Sequence, residues 1–345
     1  MIWNLLLWTL NIVIVALIVR WILKQNFSSF LDIFKSWKLP VYITVFLILM
    51  LVKAFRYCQL QIGKLSFKKS IIGISLGFFL NSLIPARIGD ISRIVYLSSE
   101  NEVKNSPNEE EIMTATPGDY IGSMIFEKLF DLLSLLVITA IIIFVTSIYL
   151  FEDIWPIIVV AISFIILIII SVILIIKYHK FFDKIIEWFV SKFRGELKQE
   201  INLSGQVNSY AKNLIRKPKK IVLNVFLSLI IVLVDTILIY LILSIILVDL
   251  PIHLGILAGS VGFLSVIFPL LPGGLGTYEG SMVLTLVFFD YVKELTLTAS
   301  FSEHILRTAI YIIIGLPIYI IILIKNYRNK DKSINNNQEN ENTLS

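Results

Sequence analysis

The sequence predicts an all-α integral membrane protein: a polytopic helical bundle, built as an inverted repeat with two broken or re-entrant segments. Three observations lead there. With 57% hydrophobic and 16% charged residues and a mean hydropathy of +0.85, the chain has too little polar surface to cover itself in water. Several apolar runs reach the ~20 residues needed to cross a hydrocarbon core of ~30 Å. Finally, Leu83-Ile84-Pro85-Ala86-Arg87-Ile88-Gly89-Asp90 and Leu270-Leu271-Pro272-Gly273-Gly274-Leu275-Gly276-Thr277 share the pattern Leu-aliphatic-Pro-x-x-aliphatic-Gly, and each interrupts an apolar stretch in its own half of the chain. Pro removes a backbone donor and Gly admits turns, so a helix stops inside the membrane and leaves polar backbone groups that need protein, water or a substrate as partner. Paired breaks of this kind mark the binding sites of transporters.

In chain order, apolar runs fall at about 2–23, 39–60, 70–85, 121–150, 155–176, 221–248, 252–271, 278–292 and 303–324. The first has no basic n-region and no small-x-small cleavage site, so it reads as a retained helix and not a signal peptide. Residues 70–85 would span only about 24 Å as a helix, and 278–292 is similarly short. Both adjoin a Pro-Gly motif. The run 1–327 therefore reads as one transmembrane domain, with a polar loop at 98–119, a basic amphipathic stretch at 177–220 and a disordered Asn-rich tail at 328–345.

Charge sets the expected topology. The stretch 177–220 and the tail with Lys325, Arg328, Lys330 and Lys332 are strongly basic and belong in the cytoplasm of a cell-membrane protein. Between them, Asp249-Leu250-Pro251 and 293–302 carry little positive charge and belong outside. Residues 252–292 then leave from and return to the outer side, as a re-entrant hairpin or as two full crossings, with Pro272-Gly273-Gly274 at the turn. Counting backwards, Glu152-Asp153 is outside and 86–120 inside. Lys64, Lys68 and Lys69 make the preceding loop basic too, so 70–85 dips in and returns in the opposite sense. Lys24, Lys35 and Lys38 pull the other way, towards a full crossing by 70–85.

Ionisable residues inside spanning segments are expensive and face partners or a water-filled cavity. Glu127 and Asp131 are four apart and share one helix face. Asp235 lies near the middle of its run and Arg307 about one turn inside 303–324. An acidic pair opposed by Arg307 makes a polar path, or else a structural bridge between helices. Lys53 and Arg56, near the end of 39–60, are expected to snorkel to the interface. Arg87 and Arg93 flank the first break and suit a phosphate, which guanidinium holds in a planar, bidentate manner, although positive-inside retention explains them equally well. Gly273, Gly274 and Gly276 let backbone approach an anionic headgroup, with Asp90 and Glu279 as rim carboxylates.

The residues around the two breaks resemble a known family, the flippase-like membrane region of lysylphosphatidylglycerol synthases. A first signature is matched by Asn81, Pro85, Arg87, Gly89, Asp90 and Arg93, with Asp90 in place of the usual Glu. A second is matched by Glu127, Lys128 and Asp131, with Lys for Arg. A third, Pro-rich and Gly-rich, is matched by Pro269, Pro272, Gly273, Gly274, Gly276 and Glu279, with one extra residue between the prolines. A last helix matches Arg307 and Gly315. The resemblance covers most of residues 10–325 and implies a lipid-translocating region without an aminoacyl-transferase domain.

The expected function is transport of an anionic phospholipid or lipid-linked sugar between leaflets, with membrane lipids as partners. Two alternatives stand beside it. One is a polytopic glycosyltransferase with Glu109 to Glu111 or Asp119 as catalytic acids; the other is a non-transporting partner of a separate lipid-modifying or glycosyl-transferring enzyme. No hydrolase constellation and no nucleotide-phosphate loop is visible, so transport is expected to follow a gradient or to equilibrate. His179, His253 and His304 are isolated and lack metal-ligand spacing, so neither metal nor other cofactor is expected. Cys58 is alone and makes no intrachain disulfide. The net charge of +5 is accounted for by lipid headgroups and needs no nucleic acid.

Overall fold

The fold is that of a computed structural model, which describes residues 28–61, 65–84, 87–102, 115–150, 203–267 and 272–344. The apolar runs 2–23 and 155–176, the stretch 177–202, residues 103–114 with Glu109 to Glu111, and Pro85 and Pro269 lie outside the described residues. The rest is helical: α1 (Ser28–Lys35), α2 (Lys38–Leu60), α3 (Phe67–Leu83), α4 (Ile88–Glu102), α5 (Pro117–Leu150), α6 (Leu203–Ile215), α7 (Pro218–Ile246), α8 (Ile252–Ser265), a 3-10 turn (Pro272–Gly274), α9 (Thr277–Val287) and α10 (Lys293–Leu344). Four of these are long and apolar enough to cross a membrane, over Lys38–Leu60, Pro117–Tyr149, Pro218–Ile246 and Lys293–Lys325. Their outer faces expose Phe55, Phe226, Ile313 and Ile321, as lipid-facing surfaces require.

α2 and α7 run antiparallel and define two ends. Lys38 Nζ donates to Ser244 Oγ at 2.8 Å at the first end, and Lys220 Nζ donates to the Gln61 carbonyl at 3.2 Å at the second. α3 begins near the second end, where Ser70 Oγ donates to the Ala54 carbonyl. α3 and α4 then form a hairpin that enters from that end and returns to it. α5 leads away, from Gln61–Ser123 at the second end to Tyr149 stacked on His253 at the first. α8 starts at the first end beside the close of α7, and α8–α9 form the second hairpin, which enters from there. α10 leads back, with Glu303 bonded to Tyr42 and Gly315 packed on Ser75 and Phe79. The unit α2–α5 and the unit α7–α10 thus trace the same path with opposite polarity, and the two hairpins meet tip to tip between the ends. This is the inverted arrangement expected from the paired breaks, and the re-entrant alternative is the one adopted in both halves. Neither α8, with 14 residues, nor α9, with 11, could cross a core of ~30 Å.

The breaks have local causes. Ile84, the residue before Pro85, is extended at φ −117°, ψ 132°, because a following Pro ring disfavours helical backbone. Asn81 Oδ1 then accepts the Gly89 N–H at 2.8 Å, tying the two arms together. Only Gly fits there, since a Cβ on Gly89 would lie 2.0 Å from the Gly77 carbonyl oxygen. At the second tip, Gly276 (φ 83°) opens α9 and the Glu279 carboxylate returns to accept its N–H at 2.7 Å, which is the half of a capping box that a glycine N-cap allows.

Three expectations change. Residues 98–102 continue α4 and 117–119 open α5, so the loop expected at 98–119 is shorter. Residues 203–215 of the expected basic loop form α6, whose Tyr210 is buried and donates to the Leu60 carbonyl. The last helix runs to Leu344, where composition predicts a disordered tail over 328–345. No Gly or Pro interrupts 326–344, and extending a helix is far easier than nucleating one.

Candidate functional site

The hairpin tips enclose a cavity of about 610 Å³ between α2, α5, α7 and α10. Arg87 Nη2 donates to the Val266 carbonyl at 2.9 Å, and Gly273 sits against the Ser82 carbonyl, so each tip closes on the other. Its lining is mostly apolar, with Phe78, Leu132, Leu135, Val232, Phe263 and Ile267, and also carries Lys53, Arg56, Glu127, Asp131, Asp235 and Arg307. A cavity lined by both apolar and ionic side chains suits an amphiphile.

The charges fall into two largely buried clusters, one centred on α5 and the other on α7 and α10. In the first, Arg56 donates from Nη2 to Glu127 at 3.1 Å and from Nη1 to Asp131, and also reaches Ser228 Oγ at 2.6 Å. Glu127 is shared with Arg93, whose Nη2 lies 2.8 Å away and whose guanidinium stacks 4.4 Å over the Tyr57 ring. In the second, Asp235 bridges Lys53 at 2.7 Å and Arg307 at 2.9 Å. Arg307 also holds Glu303 at 2.7 Å, and Glu303 accepts the hydroxyls of Tyr42 and Tyr278. Two further pairs fasten the hairpins: Asp90 to Lys128 at 3.5 Å and Glu279 to His304 at 2.5 Å.

The sequence expectations are sorted by this geometry. Glu127, Asp131, Asp235 and Arg307 do line the cavity, but the acidic pair answers Arg56 and Arg93 while Arg307 answers Asp235 and Glu303. Lys53 and Arg56 do not snorkel: their side chains are 9% and 1% exposed, because carboxylates on α7 and α5 give each an internal partner. Arg93 is buried and engaged, away from any incoming anion. Asn81, Arg87 and Gly273 line the cavity, whereas Pro85 lies outside the described residues. Glu279 is fully buried rather than at a rim, and Asp90 is held by Lys128. Gly274 and Gly276, at φ 79° and 83°, shape the turn beside Pro272. Gly89 joins the hairpin arms.

Sequence reasoning missed Glu303, His304, Tyr42 and Tyr278. A signal existed: Glu303-His304-x-x-Arg307 on α10 echoes Glu127-Lys128-x-x-Asp131 on α5 at the mirrored position.

Among the described residues, every acid that lines the cavity has a cation, and Arg87 is left over. Among the described residues, Arg87 has no carboxylate partner, only the Val266 carbonyl, and its backbone is held at φ 54°. That left-handed conformation is disfavoured for a residue with a Cβ. The site can therefore take up an anion at Arg87 without disturbing an existing ion pair. It shows no nucleophile with an adjacent base, and among the described residues no cluster of three or more His, Cys, Asp or Glu could hold a metal.

Against known proteins, a family model described as the lysylphosphatidylglycerol synthase TM region matches residues 8–315. No curated protein and no solved structure matches the chain.

Proposed function

Because the chain belongs to the lysylphosphatidylglycerol synthase transmembrane-region family, we propose that it moves an anionic lipid, a phospholipid or a lipid-linked sugar, between leaflets, with the cavity as headgroup site and Arg87 as phosphate contact. The observation that carries this reading is Arg87, left-handed in backbone and with no carboxylate partner among the described residues, at the point where the two hairpin tips meet. Guanidinium meets a phosphodiester with two parallel N–H donors, which an ammonium cannot copy. The apolar side chains of the lining offer contacts to the start of the acyl chains.

The second end is the cytoplasmic one in this reading. Lys212, Arg216, Lys217, Lys219 and Lys220 cluster there, at the close of α6 and the start of α7. The opposing lysines at the first end are partly accounted for, since Lys38 bonds Ser244 and Lys35 bonds Asp32. Asp119, one of the acids proposed for a glycosyltransferase beside Glu109 to Glu111, accepts bonds from Thr116 N–H and hydroxyl at 2.8 Å and serves the start of α5.

The test is fluorescent phosphatidylglycerol movement in liposomes carrying the purified protein. Arg87→Lys and Arg87→Gln should each lower the rate about tenfold or more, as loss of a charge-assisted bidentate contact implies. Arg93→Lys, at an internal ion pair, should change rate less than either. A Gln variant at 87 as fast as the native protein, or native protein no faster than empty liposomes, refutes the proposal.

A further inference from the structure

The two hairpins are fastened by equivalent but chemically different latches. Each joins a carboxylate in the first turn of the returning helix to a base on the long helix that follows. In the first repeat Asp90 on α4 meets Lys128 on α5. In the second Glu279 on α9 meets His304 on α10. The bases occupy matched positions, each directly after the Glu that anchors its cluster, Glu127 or Glu303. Lysine stays charged through the physiological range, whereas histidine changes charge between about pH 5 and 8. The two also differ in exposure: the Lys128 side chain is 35% exposed, while His304 and Glu279 are 8% and 1% exposed.

We propose that Glu279 and His304 form a proton-binding site that latches the second hairpin, closed when the imidazole carries its proton and released when it does not. With the proton bound, the pair is neutral overall, and Oε1 and Oε2 of Glu279 are both satisfied, by His304 Nδ1 at 2.5 Å and by the Gly276 N–H at 2.7 Å. Without it, a buried carboxylate has no counter-charge, an arrangement relieved by water entering as the first turn of α9 leaves α10. His304 lines the cavity, and its Nε2 faces Gly273, where a Cβ would lie only 3.2 Å away.

The charged groups packed around the latch are committed to other partners. On α9, the Tyr278 ring stands edge-on to the imidazole at 5.1 Å, its hydroxyl committed to Glu303. On α10, Glu303 and Arg307 flank His304 and pair with each other. Asp235 of α7 and Lys53 of α2 pair in the next layer, and Tyr42 of α2 bonds Glu303. From the first hairpin come Arg87, held at the Val266 carbonyl, and the neutral Ser82 carbonyl beside Gly273. α8 contributes only His253, which is stacked on Tyr149 at the far end of the helix. Lys53 and Arg307 balance Asp235 and Glu303, and among the described residues only His304 lies within ion-pair distance of Glu279.

Coupling of this latch to lipid movement rests on the transport reading above; the latch itself does not. Its test is the maleimide reactivity of a cysteine at Thr277 in a Cys58→Ser background, measured in liposomes across pH and normalised at each pH to the denatured protein. Reactivity should rise with pH along a single-proton curve, by up to about tenfold per pH unit at its steepest. His304→Lys should hold it low and flat, His304→Gln high and flat, and Lys128→His should leave the native rise in place. A flat native profile overturns the proposal, as does the native rise surviving in His304→Lys or, where that variant fails to insert, in Glu279→Gln. Lipid movement by the same preparations is scored separately, so failure of transport and failure of the latch are told apart.

Discussion

Asp235→Asn isolates one buried charge with almost no change of shape. The carboxylate bridges Lys53 Nζ at 2.7 Å and Arg307 Nη1 at 2.9 Å, with all three side chains about nine-tenths buried or more. Arg307 keeps Glu303 after the substitution. Lys53 keeps no carboxylate within ion-pair distance among the described residues, and the Phe78 ring lies 5.1 Å from Nζ to the ring centre. Removing one member of a buried ion pair costs about 3–5 kcal/mol, most of it the unpaired partner, and Asn leaves no cavity to add to that. Lys53→Met should cost less, because Asp235 keeps Arg307 at 2.9 Å. Combining the two removes both charges together, so the double variant should return to within about 1 kcal/mol of the native protein, a coupling well outside additivity. Reversible unfolding in mixed detergent micelles would measure the cycle. A loss below 1 kcal/mol for Asp235→Asn, or a double variant that simply sums the two losses, would refute the pairing.

Two further substitutions test the backbone contacts around the tips. Gly315→Ala would place a Cβ 2.2 Å from Phe79 Cβ and 3.1 Å from the Ser75 carbonyl, so α10 must move off α3; a loss of about 1–3 kcal/mol is expected in the same unfolding assay. Gly274→Ala meets two obstacles, φ of 79° and a Cβ 2.7 Å from Val266 Cγ1, and should cost about 1–3 kcal/mol. Adding Val266→Ala should recover only the steric share; full recovery would mean that the left-handed backbone is not under strain.

The sequence by itself determined that this chain lies in lipid, where its helices break and that the breaks come in pairs. Hydropathy and the geometry of Pro and Gly are local properties, legible in any window of some ten residues: Ile84 is extended because Pro85 follows it, whatever the rest of the fold does. The family resemblance, carried by the residues around the same two breaks, was legible for the same reason. What the sequence left open, a hairpin or two crossings, was decided by what the short helices pack against, since α8 and α9 have each other and α7 and α10 as partners. The pairing of charges was out of reach. Lys53 and Asp235 stand 182 residues apart and Arg56 and Glu127 stand 71 apart, so no spacing rule links them. A lone cation near a helix end looks the same whether it reaches headgroups or a buried carboxylate. Only the tertiary structure, by running α7 antiparallel to α2 and bringing α5 alongside, put acids where Lys53 and Arg56 could meet them, and left Arg87 as the cavity cation that no described carboxylate neutralises.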